Sequence, residues 1–344
     1  MLLTLNSLSH LLVDALCAST LFGPLRDTEN IGVLILLYNT LAFSTQCLVG
    51  LAADRSRFHA WAASLSMVMI FAGFVLPIPP VLRVALIGLG NSVFHVAGGI
   101  MTLERSRGRA GDLGVFVAPG AIGLTLGTLW PKLGWIFAVL ILAAAVLTVP
   151  AASRSPIPEG EGIPGKGAEK GAENLFPAVL LTLAVAVRAV GGTCAEFPWK
   201  TGAALTLLLT LFVFAGKTAG GFVCDRIGAS SSAALSVLPA AVLISFCAAW
   251  MIPSLLGQFA LNLTMPVTLW LMYRAMPDSP GLAFGLAASA LWPGTIIGQL
   301  ITLTGPAQKI LTLVCFLFGF AAILWSVRVL KPEKRIPNPS PKGV

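Results

Sequence analysis

The stretch Gly50-Leu-Ala-Ala-Asp54-Arg55 occurs a second time as Gly221-Phe-Val-Cys-Asp225-Arg226, so that position 50 corresponds to position 221 at an offset of 171 residues. Other positions match at the same offset and keep their order along the chain. These further pairs are Asn91 with Asn262, Gly123 with Gly294, and Gly127 with Gly298. An ordered series of matches at one offset indicates an internal repeat of two related halves.

Each half consists of apolar stretches of about 20 residues, the length that an α-helix needs to cross roughly 30 Å of hydrocarbon. Hydrophobic residues make up 56% of the chain and charged residues only 10%, too few for the surface of a soluble domain. The segment Met1 to Leu25 lacks a basic start and a cleavage site, so we interpret it as a span and not as a signal peptide. We predict twelve spans, at 3–24, 31–52, 59–78, 82–103, 112–130, 133–150, 175–194, 202–224, 230–250, 253–273, 281–303 and 308–329.

The two halves are predicted to be six-helix bundles of an all-α transmembrane fold, over 1–152 and 175–330. Because six crossings are an even number, both bundles enter the membrane from the same side and form parallel repeats. Residues 153–174 are rich in Gly, Pro, Glu and Lys, which predicts a flexible linker. Residues 331–344 are basic and rich in Pro, which predicts a disordered tail. Two facing bundles leave a cavity near the middle of the membrane.

The positions of the charges predict the orientation. The formal net charge is +8, and of the 22 Lys and Arg residues 16 lie on the side of the linker, 5 on the other side, and Arg188 within a span. Since Lys and Arg accumulate on the cytoplasmic side of a membrane protein, we predict a cytoplasmic linker, tail and termini in a cell inner membrane. No basic face with aromatic platforms occurs, so we predict no nucleic-acid partner.

The first span carries Asn6, His10 and Asp14, whose spacing of four places them on one helical stripe. Asp14 lies near the middle of its span, where a carboxylate is costly unless it is paired, faces water or is protonated. We therefore predict that Asp14 and His10 form a proton-coupling site. The alternative is a buried pair that only fixes helix packing.

Arg188 lies about 13 residues into the seventh span, which is equivalent to the first span by the repeat. Both spans are in a position to line the cavity. We therefore expect either an Asp14–Arg188 interaction across the cavity or an anchor for an anion at Arg188. The alternative is a structural ion pair.

Further polar residues within spans are candidates for substrate binding. Asn91 and His95 lie one turn apart in the fourth span, and a lone His there is alternatively a hydrogen-bonded structural residue. Asn6 and Trp292 are the other candidates, because Trp292 lies inside the eleventh span. Lys217 lies nearer the inner end of the eighth span, and we expect its side chain to snorkel towards the membrane surface.

The repeated motif predicts a conformational latch at the membrane boundary. A Gly near a helix end allows another backbone to approach closely. The Asp and Arg can then pair with each other, with a neighbouring helix end or with a third charge. The alternative, simple anchoring by positive residues, explains the Arg but not the Gly and Asp. The predicted latch residues are Gly50, Asp54, Arg55, Gly221, Asp225 and Arg226.

Several motifs of other protein classes are absent from the sequence. It contains no Walker A loop for ATP, no HExxH and no GxSxG. The six cysteines form no CxxC pair, so a metal–thiolate site is not expected. We predict that the protein is not an enzyme and has no cofactor or metal. A membrane-embedded enzyme or a receptor is kept as a remote alternative.

The twelve spans, the central linker and the duplicated motif resemble the major facilitator superfamily. Within it, Ser9-His-Leu-Leu-Val-Asp14 and Ser92-Val-Phe-His95 resemble stretches in helices 1 and 4 of the fosmidomycin-resistance-type exporters. After His95 this chain continues with Val-Ala-Gly-Gly, where those exporters tend to carry Pro-Glu. The resemblance implies proton-coupled export of a small organic compound, with anions as one candidate class, through a central cavity.

The predicted function is therefore secondary active transport by alternating access, as a proton-coupled exporter (antiporter). The alternative is uptake or facilitated diffusion of a small anion or metabolite. The predicted partners are a small solute, protons and the lipid bilayer. A bundle of two halves is expected to function as a monomer.

Overall fold

The computed structural model describes residues 1–56, 58–157 and 175–330. Residues 158–174 of the predicted linker and the predicted tail lie outside the described residues. The described part contains helices and no strand. The helices are α1 (Leu2–Phe22), α2 (Ile31–Asn39), α3 (Gln46–Ala53), α4 (His59–Val75), α5 (Pro80–Arg105), α6 (Gly111–Val117), α7 (Pro119–Leu129), α8 (Gly134–Ser153), α9 (Leu175–Cys194), α10 (Gly202–Ile227), α11 (Ala229–Cys247), α12 (Met251–Ala275), α13 (Pro280–Ser289), α14 (Leu291–Leu300) and α15 (Gly305–Val329).

These helices make up the twelve predicted crossings. Within the described residues, eleven helical segments are long and apolar enough to cross a membrane, and α4, with 17 residues, is a shorter apolar helix. Three crossings consist of two helices in line: α2 with α3, α6 with α7, and α13 with α14. The all-α multi-pass fold predicted from the sequence is confirmed.

The interrupted crossings have a local cause in two places. The helix α7 begins at Pro119, and Pro293 lies in the first turn of α14. Proline lacks the N–H that continues an α-helix but is tolerated in the first turn, so each proline marks the start of a new helix. The two Pro-Gly steps, Pro119-Gly120 and Pro293-Gly294, therefore lie at the breaks in two equivalent crossings, three residues apart in the register of the repeat.

Glycines bring the interrupted crossings against the helices that carry the charged residues. A Cβ atom on Gly123 would overlap the carbonyl oxygen of Leu11 in α1, and one on Gly294 would overlap that of Ala186 in α9. Only glycine permits such close approach of two helix backbones. The repeat therefore serves to pack α7 against α1 and α14 against α9, the helices that place Asp14 and Arg188.

Candidate functional site

A cavity of about 440 Å³ lies between the two halves, and helices from both halves line it. Most of the lining side chains are apolar, including Val117, Leu124 and Leu209. Such a volume and lining are typical of sites for small organic molecules. Five titratable side chains also face the cavity: His10, Asp14, His95, Arg188 and Lys217.

Asp14 lies at the centre of a cluster in the first half. Its Oδ1 accepts a hydrogen bond from Asn91 Nδ2 at 2.9 Å, and Oδ2 lies 3.3 Å from His10 Nε2. His95 Nε2 is 3.7 Å from Asp14 Oδ1 and 2.8 Å from His10 Nε2. Two candidates from α1 and two from α5 therefore form one connected cluster, in which the side chain of Asp14 is 18% exposed.

The hydrogen bonds of the two imidazoles define their protonation. His10 Nδ1 lies 2.8 Å from the carbonyl oxygen of Phe116, and His95 Nδ1 lies 2.8 Å from that of Asn91. A carbonyl oxygen only accepts, so both Nδ1 atoms carry hydrogen. A hydrogen bond between the two Nε2 atoms would need one further hydrogen, which would give the imidazole pair a single positive charge. The carboxylate of Asp14 lies beside the pair and would compensate that charge.

The three groups His10, Asp14 and His95 also have the donor set of a metal site, with ligand atoms within 4.8 Å of one another. A divalent ion there would share the cavity with the cations Arg188 and Lys217, which opposes its binding. A single shared proton adds one positive charge where a divalent ion adds two, so it meets a smaller repulsion from these cations. On this charge argument we assign no metal to the cluster.

Arg188 in α9 faces the cavity from the second half. Its Nη1 donates to the hydroxyl oxygens of Thr264 and, at 3.3 Å, of Thr268, both in α12. Each threonine donates its own hydrogen to a backbone carbonyl of α12, so its oxygen is left to accept from the arginine. In the described part of the chain no ion pair joins Arg188 to Asp14. The expected direct pair is therefore not formed here, although both groups line one cavity.

Lys217 also lines the cavity, which corrects the expectation that it snorkels. It lies ten residues before Ile227, the last residue of α10, which corresponds to about 15 Å along the helix axis. That distance places the side chain near the middle of the membrane. The expectation of snorkelling was wrong because it considered only which end of the span Lys217 is nearer to, and not how far the residue lies from that end.

Two further candidates do not reach the cavity. Asn6 is buried, at 2% exposure, and is not among the lining residues. Trp292 also lies outside the lining, and its Nε1 donates to Thr40 of the first half at 3.2 Å. Their predicted role in substrate binding is therefore not supported by position.

The first copy of the repeated motif binds the other half of the protein. The carboxylate of Asp54 accepts hydrogen bonds from the backbone N–H groups of Gly281, at 2.6 Å, and Leu282, at 2.8 Å. These N–H groups begin α13 and have no partner within that helix, so the carboxylate caps it. Gly50 lies against the backbone of Gly281, where a Cβ atom would overlap it.

The second copy makes the reciprocal contact. The carboxylate of Asp225 accepts from the backbone N–H groups of Ala110, at 2.8 Å, and Gly111, at 2.9 Å, at the start of α6. A Cβ atom on Gly221 would overlap the backbone of Ala110. We call these two sets of contacts the linker-face latches, because they lie at the end of the bundle where α8 ends and α9 begins.

Arg55 and Arg226 do not take part in the latches. Both side chains are exposed, and within the described residues neither makes a hydrogen bond or an ion pair with the aspartate beside it. Of the three partners expected for the motif, the neighbouring helix end is found among the described residues. Both sets of contacts join the two halves on the linker face.

Comparisons with known proteins agree with this architecture. No known family matches the sequence, and no curated protein matches it. Solved structures do match. The fucose:proton symporter FucP of E. coli aligns with a TM-score of 0.69 at 12% identity, over 95% of this chain and 98% of that chain. A second structure of FucP, a major facilitator superfamily transporter in the outward conformation, aligns with a TM-score of 0.67 at 13% identity, over 95% and 98%.

A bacterial homologue of the iron transporter ferroportin, in an outward-facing state, aligns with a TM-score of 0.58 at 14% identity, over 96% of this chain and 98% of that chain. The chain therefore has the fold of major facilitator transporters, as its sequence predicted. At such low identity the likeness concerns the fold alone. The resemblance to the fosmidomycin-resistance type stays a prediction.

Proposed function

We propose that this protein is a secondary transporter that moves a small organic solute by alternating access. The observation that carries the proposal is a central cavity between two repeated halves, with an ionisable cluster at mid-membrane and reciprocal latches that close one face. Opening the latches while the other face closes would expose the same cavity to the opposite side of the membrane. No chemical step on the solute is needed.

The cluster of His10, Asp14 and His95 is proposed as the proton-coupling site. Its imidazole pair holds one proton in excess of two neutral rings, and the carboxylate of Asp14 stabilises it. The cluster faces the cavity, so the proton can be exchanged with whichever side the cavity faces. A conformational change that exposes the cluster alternately then couples proton movement to solute movement.

The direction of transport and the setting are proposals as well. Export by proton antiport is the direction that the sequence resemblance implies, and uptake is the alternative. We place the linker face in the cytoplasm of a cell with an inner membrane, because the positive residues collect on that face. We also propose that one chain suffices, since both halves of the site belong to it.

The proposal predicts solute-dependent proton movement. Purified protein in liposomes, with the potential clamped by potassium and valinomycin and the pH dye pyranine inside, is exposed to a panel of small solutes. At least one solute is expected to change the internal pH in protein-containing but not in empty liposomes. Movement of solute and proton in the same direction indicates symport, and opposite movement indicates antiport. If no solute in a broad panel produces either proton movement or counterflow, transport is contradicted.

A second prediction tests the cluster through its packing. A Cβ atom on Gly120 in α7 would overlap both His10 Nε2 and Asp14 Oδ2. Because overpacking costs about 1–3 kcal/mol, Gly120→Ala should displace the cluster and lower proton-coupled flux by about tenfold. The matched control is Gly32→Ala, since nothing lies within 4 Å of a Cβ atom on exposed Gly32. Equal flux in both variants, at equal thermal stability, would remove the support for a cluster at this place.

A further inference from the structure

Lys217 is a cation inside the cavity for which the proton site gives no role. Within the described residues its ammonium group makes no hydrogen bond and no ion pair within 4.0 Å. It lies within electrostatic range of Asp14 and of Arg188. A charged side chain in a membrane interior is costly unless it is paired or faces water. Among the described residues Lys217 is therefore a cavity-facing cation that a bound anion could pair with.

Arg188 adds a second cation to the lining of the same cavity. Its Nη1 is held by Thr264 and Thr268, so the guanidinium is fixed in orientation before any ligand arrives. An arginine has five N–H donors, and in the described part of the chain the Nε and Nη2 donors make no bond. Those donors are free to bind an oxyanion, for which the guanidinium is well suited.

The sum of the charges in the cavity is positive. Lys217 and Arg188 contribute two positive charges, the imidazole pair with its shared proton contributes a third, and Asp14 contributes one negative charge. Without the shared proton, one net positive charge remains; with it, two. In a cavity with mostly apolar walls, such an excess attracts an anion and repels a cation.

Resting on the proposed transport function, we propose that Arg188 and Lys217 form a subsite for the acid group of a small organic anion. The apolar body of that anion lies against the wall formed by Val117, Leu124 and Leu209. Carboxylates and phosphonates share the necessary chemistry, namely oxyanion acceptors on a compact apolar body. The cavity volume of about 440 Å³ limits the solute to the size of a small metabolite or drug.

The site further implies that the anion and the proton assist each other. The groups that face the cavity and carry or change charge are His10 and Asp14 on α1, His95 on α5, Arg188 on α9 and Lys217 on α10. A proton on the imidazole pair raises the positive charge near the anion, so each ligand strengthens the binding of the other. Ligands that bind together are carried together. The charge arrangement therefore favours symport of proton and anion over the antiport that the sequence resemblance implies.

The test uses purified full-length protein and two probe pairs: benzoate with benzamide, and phenylphosphonate with benzyl alcohol. Thermal unfolding is measured at several millimolar of each probe, since a ligand of the native state raises the midpoint. We expect at least one acid to raise Tm by a few degrees and its neutral partner to have no effect. The shift should be lost in Lys217→Gln and kept in part in Lys217→Arg, which preserves the charge. The control Lys200→Gln removes an exposed lysine at the other face and should leave the shift intact.

Proton uptake is measured in the same samples, in weak buffer with a pH dye, as each acid is added. Uptake that is absent in Asp14→Asn supports co-binding, whereas proton release on addition of the acid contradicts it. If the neutral partners stabilise the protein as well as the acids, or if Lys217→Gln keeps the full shift, the anion subsite is overturned. Transport of a neutral solute in liposomes would then still stand, so the two proposals fail separately.

Discussion

Replacing Asp14 with Asn is expected to abolish proton-driven accumulation of solute while the protein still folds. Asn keeps the size of the side chain and can keep its contact with Asn91, but it removes the only negative charge that lines the described cavity. Removing one partner of a buried charged group costs about 3–5 kcal/mol. The affinity of the imidazole pair for its proton should therefore fall on the order of 100-fold or more.

Liposomes separate the coupling role from a packing role. In Asp14→Asn, uphill flux driven by a pH gradient should fall to the background of empty liposomes, whereas exchange of labelled for unlabelled solute at equal pH should continue. Loss of both fluxes together with a lower Tm would instead indicate that Asp14 only holds helices together. Asp27→Asn, in the exposed loop between α1 and α2, is the matched control and should retain both fluxes. Full uphill flux in Asp14→Asn would overturn the coupling role.

Removing the two latch carboxylates is expected to open the linker face. In Asp54→Ala and Asp225→Ala, each helix start of the other half loses two hydrogen bonds to a charged acceptor. Such bonds contribute about 1.5–3 kcal/mol each. Water replaces part of the lost hydrogen bonding once the linker face opens, so we expect each latch to lose about 3 kcal/mol of stabilising free energy. Each substitution should shift the equilibrium towards conformations with an open linker face on the order of 100-fold, since 1.4 kcal/mol corresponds to a factor of ten.

A distance across the linker face measures this opening. Spin labels at Phe58→Cys and Asp278→Cys, both exposed positions on opposite halves, require a background in which the six native cysteines are replaced. With both latches intact a single short distance should dominate, and in the double variant Asp54→Ala with Asp225→Ala a longer distance should appear. Asp112→Ala is the matched control, because that carboxylate pairs at 2.9 Å with Arg109 of its own half. An unchanged distance in the double variant would show that the aspartates do not hold the halves together.

The spacing of residues within single helices predicted much of the candidate site. His10 and Asp14 are four residues apart in one helix, and Asn91 and His95 are four apart in another, so each pair had to share a helix face. The repeated motif could also be recognised in the sequence. Anchoring by positive residues does not explain why a Gly and an Asp recur together at one offset. These features depend on the geometry of one helix or on the comparison of two segments.

The contacts that those residues make with distant parts of the chain could not be predicted from the sequence. His10 and His95 are 85 residues apart, and the contact of 2.8 Å between them depends on how α1 is rotated against α5. Asp54 meets Gly281 across 227 residues and between halves. Asn6 lies on the same stripe as Asp14 yet stays outside the cavity lining, because the lining depends on how deep the cavity extends along α1.

The predicted position of the Lys217 side chain differed most from the one in the structure. A useful signal was present, since Lys217 lies ten positions from the end of α10. A side chain of four methylenes cannot reach the surface across about 15 Å. The depth of a residue within its span is therefore a better guide to the position of its side chain than its proximity to the more basic face.

The sequence by itself determined the number of crossings, the two parallel halves, the glycines that let helices approach and the polar stripe of α1. Hydrophobic length and residue spacing are properties of the chain that act before any helix meets another. Only the tertiary structure decided that the repeated aspartates cap helices of the opposite half, that the two histidines lie in contact beside Asp14, and that Lys217 joins Arg188 in the cavity. These contacts depend on the rotation and depth of helices far apart in the chain, which are set by packing across the whole bundle.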